Sequence, residues 1–182
     1  MQNTKLSTPH RRTRGVTLIE TLCVVSIVAT SIGLAAPGFS GWKDQQALLG
    51  AAAQLETDIQ YARSQAVAMN TVVRLSVRTG EDGSCYVVHG GTEDSCSCSA
   101  TTGAICMGPS PVWRQATLPV TGPVRLISRG VSIAFDPAHG TVTPATTFKL
   151  QAATGKTLHQ VVNIMGRVRS CSPDNAPGFK AC

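Results

Sequence analysis

The chain has 182 residues, 42% of them hydrophobic and only 4% aromatic, with a formal net charge of +6. That apolar content supports one modest, mostly aliphatic core and excludes a disordered chain. The charge alone does not argue for a nucleic-acid binder: Lys5, Arg11, Arg12 and Arg14 precede Val16, and from there on 12 Lys/Arg face 10 Asp/Glu.

The first predicted element is an apolar run at 16–36, 21 residues with one charge, Glu20. As a helix it is long enough to cross a hydrocarbon core of about 30 Å. The arginines before it predict a cytoplasmic N-terminus, with the rest of the chain on the far side. An ordinary secretory signal would be cut after the run, and "SIGLAAPGFSG" has the small residues for it, but that reading leaves Glu20 without a reason. Pro37 and Gly38 predict a kink, not an end, because the helical period resumes. Leu48, Ala52, Leu55, Ile59, Ala62, Ala66 and Met69 recur at spacings of 4, 3, 4, 3, 4 and 3, a stripe suited to packing on a sheet. A helix from 16 to about 69 is roughly 80 Å long, and Asn70 suits its C-cap.

Beyond Asn70 the period becomes two. "TVVRLSVRT" (71–79) sets Val73, Leu75 and Val77 on one face and Arg74 and Arg78 on the other; "EDG" is a turn and "SCYVVHG" the return strand. Residues 90–111, rich in Gly, Ser, Thr, Pro and Cys, are predicted to be a loop. Strands are predicted at 112–118, 123–128, 131–135, 141–143, 146–152 and 158–165. One N-terminal helix followed only by strands gives an α+β fold, with no linker to split the ectodomain. Charge is uneven along it. Residues 41–110 carry four basic and seven acidic side chains, net −3; residues 111–182 carry eight and two, net +6. The C-terminal third is predicted to present a positive face.

Six of the seven cysteines (Cys85, Cys96, Cys98, Cys106, Cys171 and Cys182) follow the apolar run, an even set that reads as disulfides in an oxidising compartment. "CSCSATTGAIC" has the look of a metal cluster but lacks the paired spacing or histidines of a zinc site, so no metal and no cofactor is expected. Cys96 and Cys98 are too close to bond each other, and each is expected to pair with Cys85 or Cys106. Cys171 and Cys182 are expected to close a C-terminal loop, and Cys23 to be a free thiol in the membrane helix. His89, His139 and His159 are scattered, with no nucleophile or acid pair attached, and there is no P-loop or GxGxxG. A membrane-anchored periplasmic enzyme is therefore the remote reading, and no catalytic residue is assigned.

"GVTLIE", directly after the arginines, resembles the prepilin signal of type IV pilins and type II secretion pseudopilins. The resemblance implies that a prepilin peptidase cuts between Gly15 and Val16, that Val16 is then N-methylated, and that the apolar helix is kept. Glu20 becomes the fifth mature residue and Pro37 the twenty-second; both fit the family pattern, although phenylalanine is commoner where Val16 stands. In the family that glutamate pairs with the α-amino group of a neighbouring subunit on assembly, which gives a carboxylate in lipid the partner it needs. "VSIAFDPAHGTVTPATTFKL" with "VVNIMGRVR" resembles the branch joining the minor pilin FimT to the pseudopilin GspH, whose domains pack the helix into two small antiparallel β-sheets. The resemblance runs from Gly15 to about Arg169. It implies a cleaved leader at 1–15, a transmembrane half-helix at 16–36, and a periplasmic or extracellular domain at 37–182 with a basic tail at 166–182. The implied place is the inner membrane, single-pass, and later the pilus; the implied partners are other pilin or pseudopilin subunits, the peptidase and the membrane.

"GRVRS" (166–170) is the sharpest remaining feature. Arg167 and Arg169 alternate, so on a strand they point to one side, and their planar forks suit phosphate. Lys180 lies in the loop that Cys171 and Cys182 would close, next to a Phe179 expected to be exposed. In this family branch the matching G-R-x-R element of some minor pilins is linked to DNA capture. The resemblance thus implies sequence-independent DNA binding through Arg167, Arg169 and Lys180, in support of DNA uptake and pilus biogenesis. The alternative is a GspH-like minor pseudopilin of a type II secretion system.

Overall fold

The computed structural model describes residues 15–128, 132–176 and 178–182, with the side chains of 34–38 and 40 not among those described. The arginines of the expected leader lie outside these, and the helix runs on through Pro37 without ending there. The chain forms two compact units, residues 1–40 and 41–182, and helix α1 (Leu18–Met69) runs through their boundary.

In the first unit Thr17 starts the helix: its carbonyl and hydroxyl oxygens accept from the Glu20 N–H at 3.1 and 3.3 Å, a capping arrangement that threonine favours. Among the described residues no helix is long and apolar enough to cross a membrane. The described apolar stretch ends at Gly33, and the last part of the predicted span falls on residues whose side chains are not described.

In the second unit the predicted stripe is buried at Leu48, Ala52, Leu55, Ile59, Ala62 and Ala66. Met69 leaves it, at 49% exposed. The helix stops there because Asn70 takes a left-handed φ of 51°, a conformation asparagine tolerates, and Thr71 N–H closes back on the Ala66 carbonyl.

Eleven strands follow: β1 (Val73–Gly80), β2 (Gly83–Gly90), β3 (Cys96–Ser99), β4 (Gly103–Cys106), β5 (Val112–Pro119), β6 (Val124–Ser128), β7 (Ser132–Phe135), β8 (Val142–Thr143), β9 (Thr146–Ala152), β10 (Thr157–Val162) and β11 (Val168–Cys171). They form an antiparallel sheet in the order β5-β2-β1-β7-β8, a second in the order β11-β10-β9-β6, and the hairpin β3-β4. The α1 stripe and the inner faces of the two larger sheets make one core, including Leu75, Tyr86, Val88, Phe135, Phe148, Leu150 and Leu158. Two polar ties reach the helix from these sheets. The Tyr86 hydroxyl donates to Asp58 Oδ2 at 2.7 Å, and Gln160 Nε2 donates to the Ala52 carbonyl. Burial, and then the hydrogen bond to Asp58, push the Tyr86 hydroxyl well above the ordinary phenol range.

Two expectations are corrected. Residues 90–111 are not one loop: they hold a 3-10 turn (Glu93–Ser95) and the β3-β4 hairpin. Small polar residues hide a period-two pattern here, in which Cys96 and Cys98 turn inward with Cys85 and Val87 of β2. Disulfides Cys85–Cys98 and Cys96–Cys106 staple the hairpin down. Nor is 158–165 one strand: β10 ends at Val162 and a tight turn leads to β11.

Candidate functional site

The turn between β10 and β11 is built around Asn163. Its side-chain oxygen accepts from the N–H groups of Met165 and Arg167 at 3.1 and 2.9 Å, and its carbonyl accepts from Gly166 N–H at 2.9 Å. Gly166 has a φ of 74°, and a Cβ on it would sit 3.0 Å from Arg63 Cδ and Nε and from the Gly140 carbonyl oxygen. Arg63 Nε in turn donates to that Gly140 carbonyl at 2.9 Å, so one α1 side chain ties the β7–β8 turn to the turn that carries the arginines. In the sequence Arg63 reads as a polar-face residue; the signal for its role is the pair of glycines it packs against.

Arg167 and Arg169 are both exposed, while Val168 between them packs on the core. They share one shallow depression of about 310 Å³ with Val161 and Asn163. Cys171 and Cys182 are bonded, and the Lys180 carbonyl accepts from Ser172 N–H at 2.9 Å. Lys180 therefore stands beside Ser172, three residues past Arg169, on the order of 10 Å along the strand direction. Phe179 is not exposed as expected: it is half-buried and packs against the core, because the tail folds over it.

His159, Cys171 and Cys182 present ligand atoms within 4.8 Å of one another, but the two sulfurs are bonded to each other and leave only the imidazole. Burial, then the charge of Lys149, lower the His159 pKa, against an opposing pull from Asp174. Both acids of residues 111–182 are engaged locally. Asp174 accepts from the Thr157 N–H and hydroxyl at 2.9 and 2.7 Å, which holds its carboxyl below the usual range. Asp136 accepts from the His139 and Ala138 N–H groups, with the same effect. Among the described residues Arg167, Arg169 and Lys180 make no ion pair.

A serine–histidine contact lies elsewhere: Ser76 Oγ is 2.8 Å from His89 Nε2 and bonds Ser132 Oγ at 3.2 Å, while His89 Nδ1 is 2.8 Å from the Gly90 carbonyl. All three residues are buried and no carboxylate joins them, so the group ties β2, β1 and β7 together without access for a substrate. Burial is the main cause of its lowered histidine pKa.

At the N-terminal end, Gly15 and Val16 precede the helix and Glu20 is exposed in its first turn. The hydroxyls of Thr21, Ser26, Thr30 and Ser31 all donate to carbonyls three or four residues back, at 2.7–3.0 Å, the pattern that satisfies hydroxyls without water. Cys23 is a free, exposed thiol.

A helix whose second half shares a core with two small antiparallel sheets defines a pilin-type subunit of the minor pilin and pseudopilin class. A crystal structure of the type IV minor pilin FimU from Pseudomonas aeruginosa (strain PAO1) is similar, with a TM-score of 0.51 at 20% sequence identity, over 76% of this chain and 98% of that one. The sequence pattern of the family described as type II transport protein GspH matches residues 51–166, more than half of the chain, and the chain belongs to that family. No curated protein matches it significantly. The family match stops at Gly166, so Arg167, Arg169 and Lys180 lie beyond it, as Gly15 and Glu20 lie before it.

Proposed function

We propose that the chain is a minor type IV pilin that binds DNA without sequence preference through Arg167 and Arg169, with Lys180 as an outlying contact, in support of DNA uptake and pilus biogenesis. One observation carries this reading: two guanidinium groups stand exposed over one depression on one side of an edge strand, with no carboxylate paired to either among the described residues. Backbone contacts of this kind carry no base code, and each neutralised phosphate contributes about −0.9 to the slope of log K against log salt on duplex DNA. Labelled duplex titrated into the full chain in nonionic detergent tests it. Arg167→Gln with Arg169→Gln should remove most of the affinity and flatten the slope by about 1.8; binding unchanged by the pair refutes the reading.

The same proposal makes residues 1–15 a cleaved leader and 16–36 a membrane anchor, with the rest outside the inner membrane and later in the pilus. It is supported by the apolar side chains that α1 leaves exposed, from Leu18 at 83% to Ile32 at 63%, which need lipid or neighbouring subunits to cover them. The self-satisfied hydroxyls of that segment leave Glu20 as its one charge in search of a partner. The mass of the mature subunit should correspond to a methylated chain beginning at Val16, and a retained leader would count against the assignment. A second reading, a GspH-like minor pseudopilin of type II secretion, is favoured by the description of the matching family. It predicts a flat DNA titration. In both readings the chain is a structural subunit and not an enzyme.

A further inference from the structure

We infer that the DNA track runs diagonally across the outer face of the β11-β10-β9-β6 sheet, with Arg125 on β6 and Lys149 on β9 as phosphate contacts alongside the arginine pair; this rests on the DNA-binding reading of Arg167 and Arg169. The register places these side chains. Arg169 lies opposite Val161, and Val161 opposite Thr147. Two residues along, Cys171, His159, Lys149 and Ile127 form the next row. Two further along, Thr157, Gln151 and Arg125 form the third. The intervening residues Leu126, Leu150, Phe148 and Leu158 are buried in the core, so by alternation all three rows face away from it; within the second row Cys171 is covered by its bond to Cys182.

The four strands of this face contain no Asp or Glu. Among the described residues neither Arg125 nor Lys149 makes an ion pair. Three shallow depressions mark the face, and each has a cation in its wall. Arg167 and Arg169 line one, Lys149 with Thr146 and Thr147 lines another of about 470 Å³, and Arg125 with Gln151 lines a third of about 330 Å³. On the other sheet the contrast is direct. Arg78 borders depressions that also hold Glu93 and Asp94, or Glu81 and Asp82, so its charge is offset there.

Spacing supports a polyphosphate over a single anion. Arg125 and Arg169 are three strands and two rows apart, roughly 20 Å at about 4.8 Å between strands and 3.3 Å per residue. A duplex advances about 3.4 Å per phosphate on each strand, so that diagonal spans about six base pairs, with Lys149 between its ends. Thr147 and Gln151 fill the gaps with groups that commonly bond phosphate oxygens, whereas Thr157, at the end of the third row, is taken by the Asp174 carboxylate of the tail.

The test uses the full chain in nonionic detergent and a labelled 30-base-pair duplex, with anisotropy read from about 20 to 200 mM salt. Five cations give an expected slope near −4.5, against −2.7 for Arg167, Arg169 and Lys180 alone. Arg125→Gln with Lys149→Gln should flatten it by about 1.8, and Arg125→Lys with Lys149→Arg should restore it. Restoration separates lost charge from lost fold, and an unchanged melt of the glutamine pair does so independently. If the Arg125/Lys149 pair binds with wild-type slope while the Arg167/Arg169 pair loses affinity, the extended track is wrong and the arginine reading stands. A wild type with no salt-sensitive binding overturns both.

Discussion

Replacing Gly166 with alanine asks whether helix α1 holds the turn that aims Arg167. The backbone term comes from the φ of 74°, which costs an L-residue roughly 1–2 kcal/mol. The steric term comes from the 3.0 Å approach of a Cβ to Arg63 Cδ and Nε and to the Gly140 carbonyl oxygen. Of these neighbours the Arg63 side chain yields first, and its 2.9 Å bond to Gly140 stretches. A hydrogen bond from a charged group is worth about 1.5–3 kcal/mol when buried, and Arg63 is half-exposed, so about 1 kcal/mol is a fair share after solvent screening. The sum is roughly 2–3 kcal/mol, which for a domain of this size lowers Tm by about 6–9 °C. Calorimetry on residues 41–182, which contain the complete core, measures it. The decisive step is a double-mutant cycle with Arg63→Ala, because removing that side chain removes the Arg63 share of the steric term and leaves the backbone term and the Gly140 contact. Gly166→Ala should cost about 1 kcal/mol less in the Arg63→Ala background. Equal costs in both backgrounds, or no loss in either, refute the idea that α1 positions the turn.

Tyr86→Phe removes the hydroxyl from Asp58, which is 7% exposed, and should lower stability by about 1.5–3 kcal/mol; a urea midpoint that does not move would show that water replaces it. The pH profile carries a sign. Folded His89 takes up a proton less readily than the unfolded chain, so its contribution is complete above the unfolded value of about 6.5 and is lost as pH falls below it. His89→Gln should flatten that part of the profile, and a wild type equally stable at pH 7.5 and 5.5 contradicts the assignment. Glu20→Val should leave a membrane-inserted, folded subunit that is missing from sheared filaments; wild-type recovery would show that the carboxylate has no assembly role.

The elements the sequence made legible are those with a dominant period. Six of the seven predicted stripe positions on α1 are buried, and β9 falls on the predicted 146–152, because long runs of Leu, Ile, Val and Phe leave no second way to hide an apolar face. The β3-β4 hairpin was illegible because covalent links do the work that apolar side chains do elsewhere: its only buried hydrophobics are the cysteines themselves. The end of β10 was missed because "VVN" continues the strand chemistry, and the break depends on Asn163 folding onto two N–H groups ahead of it. Arg167 and Arg169 are legible from their spacing as a pair on one side, and both are exposed. The proposed partners Arg125 and Lys149 are not legible, since a lone cation on each of two strands has no local signature until register aligns the strands.

The two larger sheets solve the same problem differently on their outer sides. Strand β2 is buried at every position, because the disulfide-stapled hairpin covers the face turned away from α1. That cover turns Cys85 and Val87 into a second small core and leaves acidic residues beside Arg78. The β11-β10-β9-β6 sheet has no such full layer: β10, and β9 from Thr147 onward, alternate between buried and half-buried, and the tail covers the Thr157 end, through Asp174 and Ser172, and Cys171 beside His159, through the Cys171–Cys182 bond. A sheet face that is mostly open, lacks acids in its strands and carries a cation in each hollow gains nothing for folding from those cations, since like charges repel and none makes an ion pair among the described residues. On the proposed DNA-binding reading these residues are where the polyanion sits, and the hairpin-covered face of the other sheet, with its acids beside Arg78, is where it does not.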